Sequence, residues 1–117
     1  MNLTDQLARA ALNRQSLLLR ELTMALLEGY INLADVPAPR TDDPRARAVA
    51  AGLVELLAAR RGQESPVWTK LEGTTEPFFL VAAAETMPNL RALCLTEAPL
   101  PLRKRNVYAP PNFLEFA

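Results

Sequence analysis

The fold is decided by residues 43–62, which read DPRARAVAAGLVELLAARRG. Asp43 is typical of an N-cap, and Pro44 suits the first helical position, where its missing N–H has no helical partner. Gly62 follows the terminal Arg60-Arg61 pair, as glycine often follows the end of a helix. The spacing predicts a buried stripe of Val49, Leu53, Leu56 and Leu57, with Arg45, Arg47, Glu55 and Arg60 facing away. The stretch therefore predicts one amphipathic helix with a defined start and end.

The stretch before this helix is also helical in character. Residues 3–28 are rich in strong helix formers and contain neither Pro nor Gly. Asn2 can cap the start, with Asp5 in the first turn, and Gly29 is a natural residue to follow the end. A polar interruption at residues 13–16 leaves open one long helix or two, the second capped by Ser16. One helical face collects Leu3, Leu7, Ala10, Ala11, Arg14, Leu17 and Leu18.

The remaining segments alternate loops with short helical candidates. Residues 30–41 are a connection containing Pro37 and Pro39, and residues 63–75 are a loop carrying Trp68. Residues 78–84 form an apolar block whose periodicity does not distinguish a helix from a strand, although its alanines favour a helix. Pro88 can open a further helix to Glu97, and the side chains expected to be buried there are Leu90, Leu93 and Cys94 or Leu95.

The C-terminal residues 98–117 contain four prolines, which forbid a long helix or a central strand. Their many apolar side chains favour an extended strap packed across the helices. We therefore predict a mainly α fold, a small bundle of roughly three to five helices with a proline-rich extended C-terminal strap. At 117 residues we expect a single helical domain over residues 1–117.

The charge and cysteine content exclude several classes of protein. Thirteen basic and 13 acidic residues give a net charge of zero, so the chain as a whole has no electrostatic attraction to nucleic acid or anionic lipid. The single cysteine, Cys94, cannot form a disulfide within the chain, and a small buried residue is its expected role. The first residues mix charges into the apolar positions and make no signal peptide. We expect a cytoplasmic protein with no membrane partner.

The side-chain inventory offers little for catalysis. There is no histidine, which removes the usual general base and the commonest metal ligand. The four glycines lie too far apart for a phosphate-binding loop, and the carboxylates are scattered. We therefore expect no enzyme activity, no catalytic residues, no cofactor and no metal.

The one dense charge cluster is Arg103-Lys104-Arg105. With Asn106 and Tyr108 it is the candidate partner-binding segment, suited to phosphates or to an acidic protein surface. The competing interpretation is a solvated turn between two apolar anchors. A weak nucleic-acid site combining this segment with Arg60-Arg61 is the alternative function. The chain also has more leucine and alanine faces than its short helices need to form a core, which favours a homodimer.

Several motifs of the C-terminal half occur together. They are Ser65-Pro66-Val67-Trp68-Thr69, Glu76-Pro77-Phe78-Phe79, Leu90-Arg91-Ala92-Leu93-Cys94, and the closing runs Glu97–Tyr108 and Pro110–Leu114. With these motifs and the helix of residues 43–62, the chain resembles a family of small uncharacterised bacterial proteins. Some members of that family are associated with toxin–antitoxin or nucleotidyltransferase-like genes. The resemblance implies an accessory or partner protein and supplies no catalytic residues.

Together these patterns predict a non-enzymatic cytoplasmic protein that acts as a protein-interaction or accessory module, antitoxin-like in kind. Its expected partner is another protein or a second copy of itself.

Overall fold

Five α-helices and a two-stranded sheet form the computed structural model, which describes residues 1–117. The helices are α1 (Leu3–Leu12), α2 (Ser16–Gly29), α3 (Pro44–Arg60), α4 (Pro88–Glu97) and α5 (Leu100–Arg103). The strands are β1 (Phe78–Phe79) and β2 (Val107–Tyr108), and single 3-10 turns cover Leu33–Asp35, Val67–Leu71 and Ala82–Glu85. The mainly helical bundle expected from the sequence is confirmed. None of the helices combines the length and the apolar character needed to cross a bilayer.

Helix α3 is the centre of the molecule. Its predicted caps are confirmed: Asp43 accepts a hydrogen bond from the Arg45 N–H at 3.1 Å, and Gly62 has a φ of 65°. The helix packs against α1, α5 and the 67–71 turn, so it is buried on nearly every side rather than along one stripe. The prediction that Glu55 faces away is therefore wrong, since Glu55 lies among these neighbours and is buried.

The N-terminal region forms two helices that pack against each other. A capping box between Asn2 and Asp5 begins α1, as the sequence predicts. The chain then turns through Arg14, whose φ of 55° is left-handed and incompatible with a continuous helix. Ser16 is the first residue of α2 rather than its cap. Gly29 is the last residue of α2, so its predicted place beyond the helix is wrong.

The apolar block at residues 78–84 is not a helix, and the preference of its alanines is overridden by strand pairing. Phe78 and Phe79 pair in parallel with Val107 and Tyr108. The Phe78 N–H donates to the carbonyl of Asn106 at 3.0 Å, and only Ala82–Glu85 forms a 3-10 turn. Long-range hydrogen bonds thus determine this segment, which local propensity does not describe.

The C-terminal segment packs across α3, although it starts with a helix rather than with extended chain. Leu102 of α5 is fully buried, and its Cδ2 would come within 2.6 Å of a Cβ placed on Gly52. The preceding helix α4 is confirmed from Pro88, but of its expected core residues only Cys94 is fully buried. Leu90 and Leu93 are half-buried, and Leu95 is exposed. The backbone of Gly52 therefore sets how closely α5 approaches the central helix.

Candidate interaction surfaces

The basic segment predicted to bind a partner begins at Arg103, the last residue of α5, and its three cations differ sharply in exposure. Lys104 is half-exposed and Arg103 is partly buried, whereas Arg105 retains only 3% of its accessible surface. The interpretation of the segment as a solvated turn is therefore wrong for Arg105.

Arg105 is bonded to three parts of the fold. Its Nη1 lies 2.5 Å from Glu55 Oε1 on α3 and 2.7 Å from the carbonyl oxygen of Pro101. Its Nη2 donates to the carbonyl of Thr69 at 2.8 Å, and the Thr69 hydroxyl donates to the other oxygen of Glu55 at 3.2 Å. Arg105 thus joins α3, the 67–71 turn and α5, which is a structural role rather than that of a free binding group.

The other predicted binding residues also make contacts within the fold. Lys104 Nζ lies 3.1 Å from Glu55 Oε1, and Arg103 donates to the carbonyl of Thr96 at 2.5 Å. Asn106 donates to the carbonyl of Thr75 at 3.1 Å and accepts from the Tyr108 hydroxyl at 3.2 Å. The structure brings the five residues together around β2, and it uses most of their polar atoms to hold the C-terminal segment.

The second basic pair, Arg60-Arg61, does not supply two unbonded arginines beside this segment. Arg60 donates to the carbonyl oxygens of Phe113 and Pro111, so it anchors the end of the chain to α3. The side chain of Arg61 is exposed and makes no hydrogen bond or ion pair. Four of the five cations in the nucleic-acid alternative thus bond to other parts of the fold: Arg60, Arg103, Lys104 and Arg105.

Two buried carboxylates have lowered pKa values. Burial alone would raise the pKa of Glu55, but Arg105 and Lys104 outweigh burial and hold it below its ordinary value of 4.5. Burial likewise raises the pKa of Asp5. The backbone N–H donors of Arg40, Thr41 and Asn2 then lower it below 3.8. Both groups therefore favour the folded state when ionised.

These shifts predict a loss of stability in acid. A carboxylate with a lowered folded pKa stabilises the protein above its unfolded pKa, and that stabilisation disappears as the pH falls through the folded pKa. We expect the free energy of unfolding to decrease from near pH 4.5 downward, by at most about 1.4 kcal/mol per pH unit for each group. Urea unfolding at a series of pH values measures this slope. Glu55→Gln should make it shallower, and an unchanged slope would contradict the role of Glu55.

Helix α2 carries an exposed apolar face that the sequence pattern did not predict. Only Leu19, Thr23 and Leu26 of its 14 residues are buried. Leu17 is 71% exposed and Met24 is 41% exposed. The spacing predicted one helical face shared by Leu3, Leu17 and Leu18, but the turn at residues 13–15 ends that face and reorients α2, and both Leu17 and Leu18 are exposed. The seven-residue spacing of Leu17 and Met24, which is about two helical turns, was the feature of the sequence that could have indicated this exposed face.

Two exposed apolar residues of α2, Leu17 and Met24, are seven residues apart, so they fall on one line along the helix about two turns from each other. Leu17 and Met24 are followed after another seven residues by Ile31, which lies just beyond the helix and is 93% exposed. At 100° per residue, Arg20 lies on one side of this line and Glu21 and Glu28 lie on the other. We call Leu17, Arg20, Glu21, Met24 and Glu28 the α2 face. It is apolar along its middle and oppositely charged on its two flanks.

No cluster of reactive groups accompanies these surfaces. No three His, Cys, Asp or Glu residues come close enough together to hold a metal ion. Cys94 is fully buried, and that burial raises the pKa of its thiol. A protonated, inaccessible thiol is a poor nucleophile.

Comparisons with known proteins identify no relative: no family model matches the chain, and neither a curated protein nor a solved structure does. The resemblance carried by the C-terminal motifs therefore stays a prediction.

Proposed function

We propose that this protein is a non-enzymatic, cytoplasmic protein-interaction module that pairs with a second copy of itself through the α2 face. The observation that carries the proposal is the exposure of Leu17 and Met24 on a helix that buries only three residues, with the exposed Ile31 just beyond its end. Exposed apolar side chains grouped on one side of an element, unlike scattered ones, are typical of a protein-binding surface. The antitoxin-like accessory role implied by the C-terminal motifs is compatible with such a module.

The charges of the α2 face favour a second copy as the occupant. In a parallel pair of helices related by a two-fold axis, the apolar lines of the two helices meet. The left flank of one helix then faces the right flank of the other. The flank bearing Arg20 of one copy then faces the flank bearing Glu21 of the other, and the reverse holds by symmetry. One arginine against two glutamates gives this face no attraction for phosphates or anionic lipid. The contacts of Arg105 and Arg60 leave the nucleic-acid alternative without a supporting observation of its own.

The proposal predicts a molar mass that depends on concentration. At high concentration, light scattering should approach twice the chain mass of 12.9 kDa. Leu17→Glu and Met24→Glu should each raise the dimer dissociation constant about tenfold or more, because each places a charge in the apolar seam of both copies. Leu95→Glu, which changes an exposed leucine on α4, is the matched control and should have no effect.

A charge reversal tests the orientation of the pair. Arg20→Glu should weaken dimerisation, and adding Glu21→Arg to the same chain should restore it in part. A protein that stays monomeric up to about 0.5 mM would contradict self-association. Equal weakening by Leu95→Glu would show that the surface is elsewhere.

A further inference from the structure

Two polar clefts adjoin along α1, on the side covered by residues 40–43. The first has a volume of about 200 Å³, and the residues lining it include Arg9, Asn13, Thr41 and Asp43. The second has a volume of about 230 Å³, shares Arg9 and Thr41 with the first, and adds Arg40. Both are bordered by Asp5. The shared residues make the two clefts one continuous polar surface.

Asp5 gives this surface a fixed frame. The carboxylate is buried, and its Oδ1 accepts from the N–H groups of Arg40 at 2.9 Å and Thr41 at 3.0 Å. Its Oδ2 accepts from the N–H of Asn2 at 3.1 Å. These bonds tie residues 40–41 to the first turn of α1. The positions of Arg9 and Arg40 are therefore set by backbone that the fold holds in place.

Arg9 and Arg40 are left without partners. Arg9 follows Asp5 by four residues, a spacing at which an ion pair commonly forms on a helix. No carboxylate lies within 4.0 Å of either guanidinium, and neither side chain makes a hydrogen bond. Asp5 already accepts three backbone N–H bonds, which accounts for the missing pair. Two guanidinium groups thus border one cleft with their donors free.

We propose that this surface binds a small phosphate monoester, with its phosphate between Arg9 and Arg40. Guanidinium groups present paired N–H donors that match the oxygens of a phosphate, and their positive charge attracts its charge of about −2. The adjoining cleft suits a hydroxyl-bearing remainder of the molecule. Asn13 has an unused side-chain amide, and Asp43 uses only Oδ1 in capping α3, which leaves Oδ2 to accept from a hydroxyl. The site shares no residue with the α2 face, so the two proposals fail independently.

Calorimetric titration at low salt with ribose 5-phosphate, inorganic phosphate and citrate tests the site. We expect saturable binding of both phosphates, with ribose 5-phosphate the tighter, and weaker binding of citrate. Arg9→Gln and Arg40→Gln should each weaken the binding of both phosphates about tenfold or more. Arg61→Gln, which changes an exposed arginine elsewhere, is the matched control. Asn13→Ala and Asp43→Asn should remove only the advantage of ribose 5-phosphate over inorganic phosphate.

Because Arg9 and Arg40 make no side-chain hydrogen bond or ion pair, their variants should keep the wild-type melting temperature and helical circular dichroism. Absence of saturation by ribose 5-phosphate up to about 10 mM would overturn the proposal. Equal weakening by Arg61→Gln would overturn it by showing non-specific attraction. Binding of a duplex oligonucleotide without binding of the monoester would overturn it in favour of a nucleic-acid surface.

Discussion

Arg105→Met is expected to lower the free energy of unfolding by about 3–5 kcal/mol, because it leaves the buried carboxylate of Glu55 without its main partner. The substitution also removes the donors that serve the carbonyls of Pro101 and Thr69. A domain of this size is stable by about 5–15 kcal/mol in total, so the variant should be near its folding limit. Urea unfolding followed by circular dichroism measures the difference.

Two further variants separate the buried pair from general charge effects. Lys104→Met removes a half-exposed cation from the same carboxylate, and we expect a loss of about 1 kcal/mol or less. The double variant Glu55→Leu, Arg105→Met removes both buried charges and should recover much of the stability lost with Arg105 alone. If Arg105→Met costs no more than Lys104→Met, Arg105 is not the structural anchor described above.

Leu102→Ala is expected to lower the free energy of unfolding by about 2–5 kcal/mol, the usual cost of truncating a fully buried leucine. Leu102 is the side chain through which α5 packs on α3 over Gly52. Its loss should therefore loosen the start of the C-terminal segment. Hydrogen exchange should show the reduced protection first at α5 and β2, and uniform loss across the chain would contradict this local role.

Gly52→Ala supplies the complementary test of the same contact. A Cβ on Gly52 would lie 2.6 Å from Leu102 Cδ2 and 3.2 Å from the carbonyl oxygen of Pro101. We expect a cost of about 1–3 kcal/mol from this overpacking. Since Leu102→Ala removes the nearest atom, the double variant should be more stable than the sum of the single effects predicts. Strict additivity would show that the two residues do not contact each other.

The sequence predicts those parts of the fold that depend on neighbouring residues. The caps of α1 and α3 and the start of α4 at Pro88 rest on local hydrogen bonding and backbone geometry, and the structure confirms them. Glu55 and the 78–84 block depend on residues far along the chain. Glu55 is buried because Arg105 reaches it from 50 residues away, and Phe78 is extended because Asn106 and β2 pair with its strand. Local propensity carries no information about either contact.

The basic segment at residues 103–108 shows the same difference between local and long-range contacts. A cluster of three basic residues is conspicuous in the sequence, but which of them reaches solvent depends on how α5 docks on α3. The structure turns Arg105 inward and leaves Lys104 exposed. The α2 face escaped prediction because its orientation follows from a single left-handed residue, Arg14. A polar interruption in the sequence indicates that a turn can occur but not the direction in which the next helix leaves it.

We propose that the docking surface is the α2 face and not the basic segment at residues 103–108. Backbone amide chemical shifts, measured by NMR over a concentration series from about 20 µM to 1 mM, test it most directly. We expect concentration-dependent shifts along α2 around Leu17 and Met24, while the shifts of residues 103–108 stay constant. Shifts confined to residues 103–108, with α2 unchanged, would contradict it.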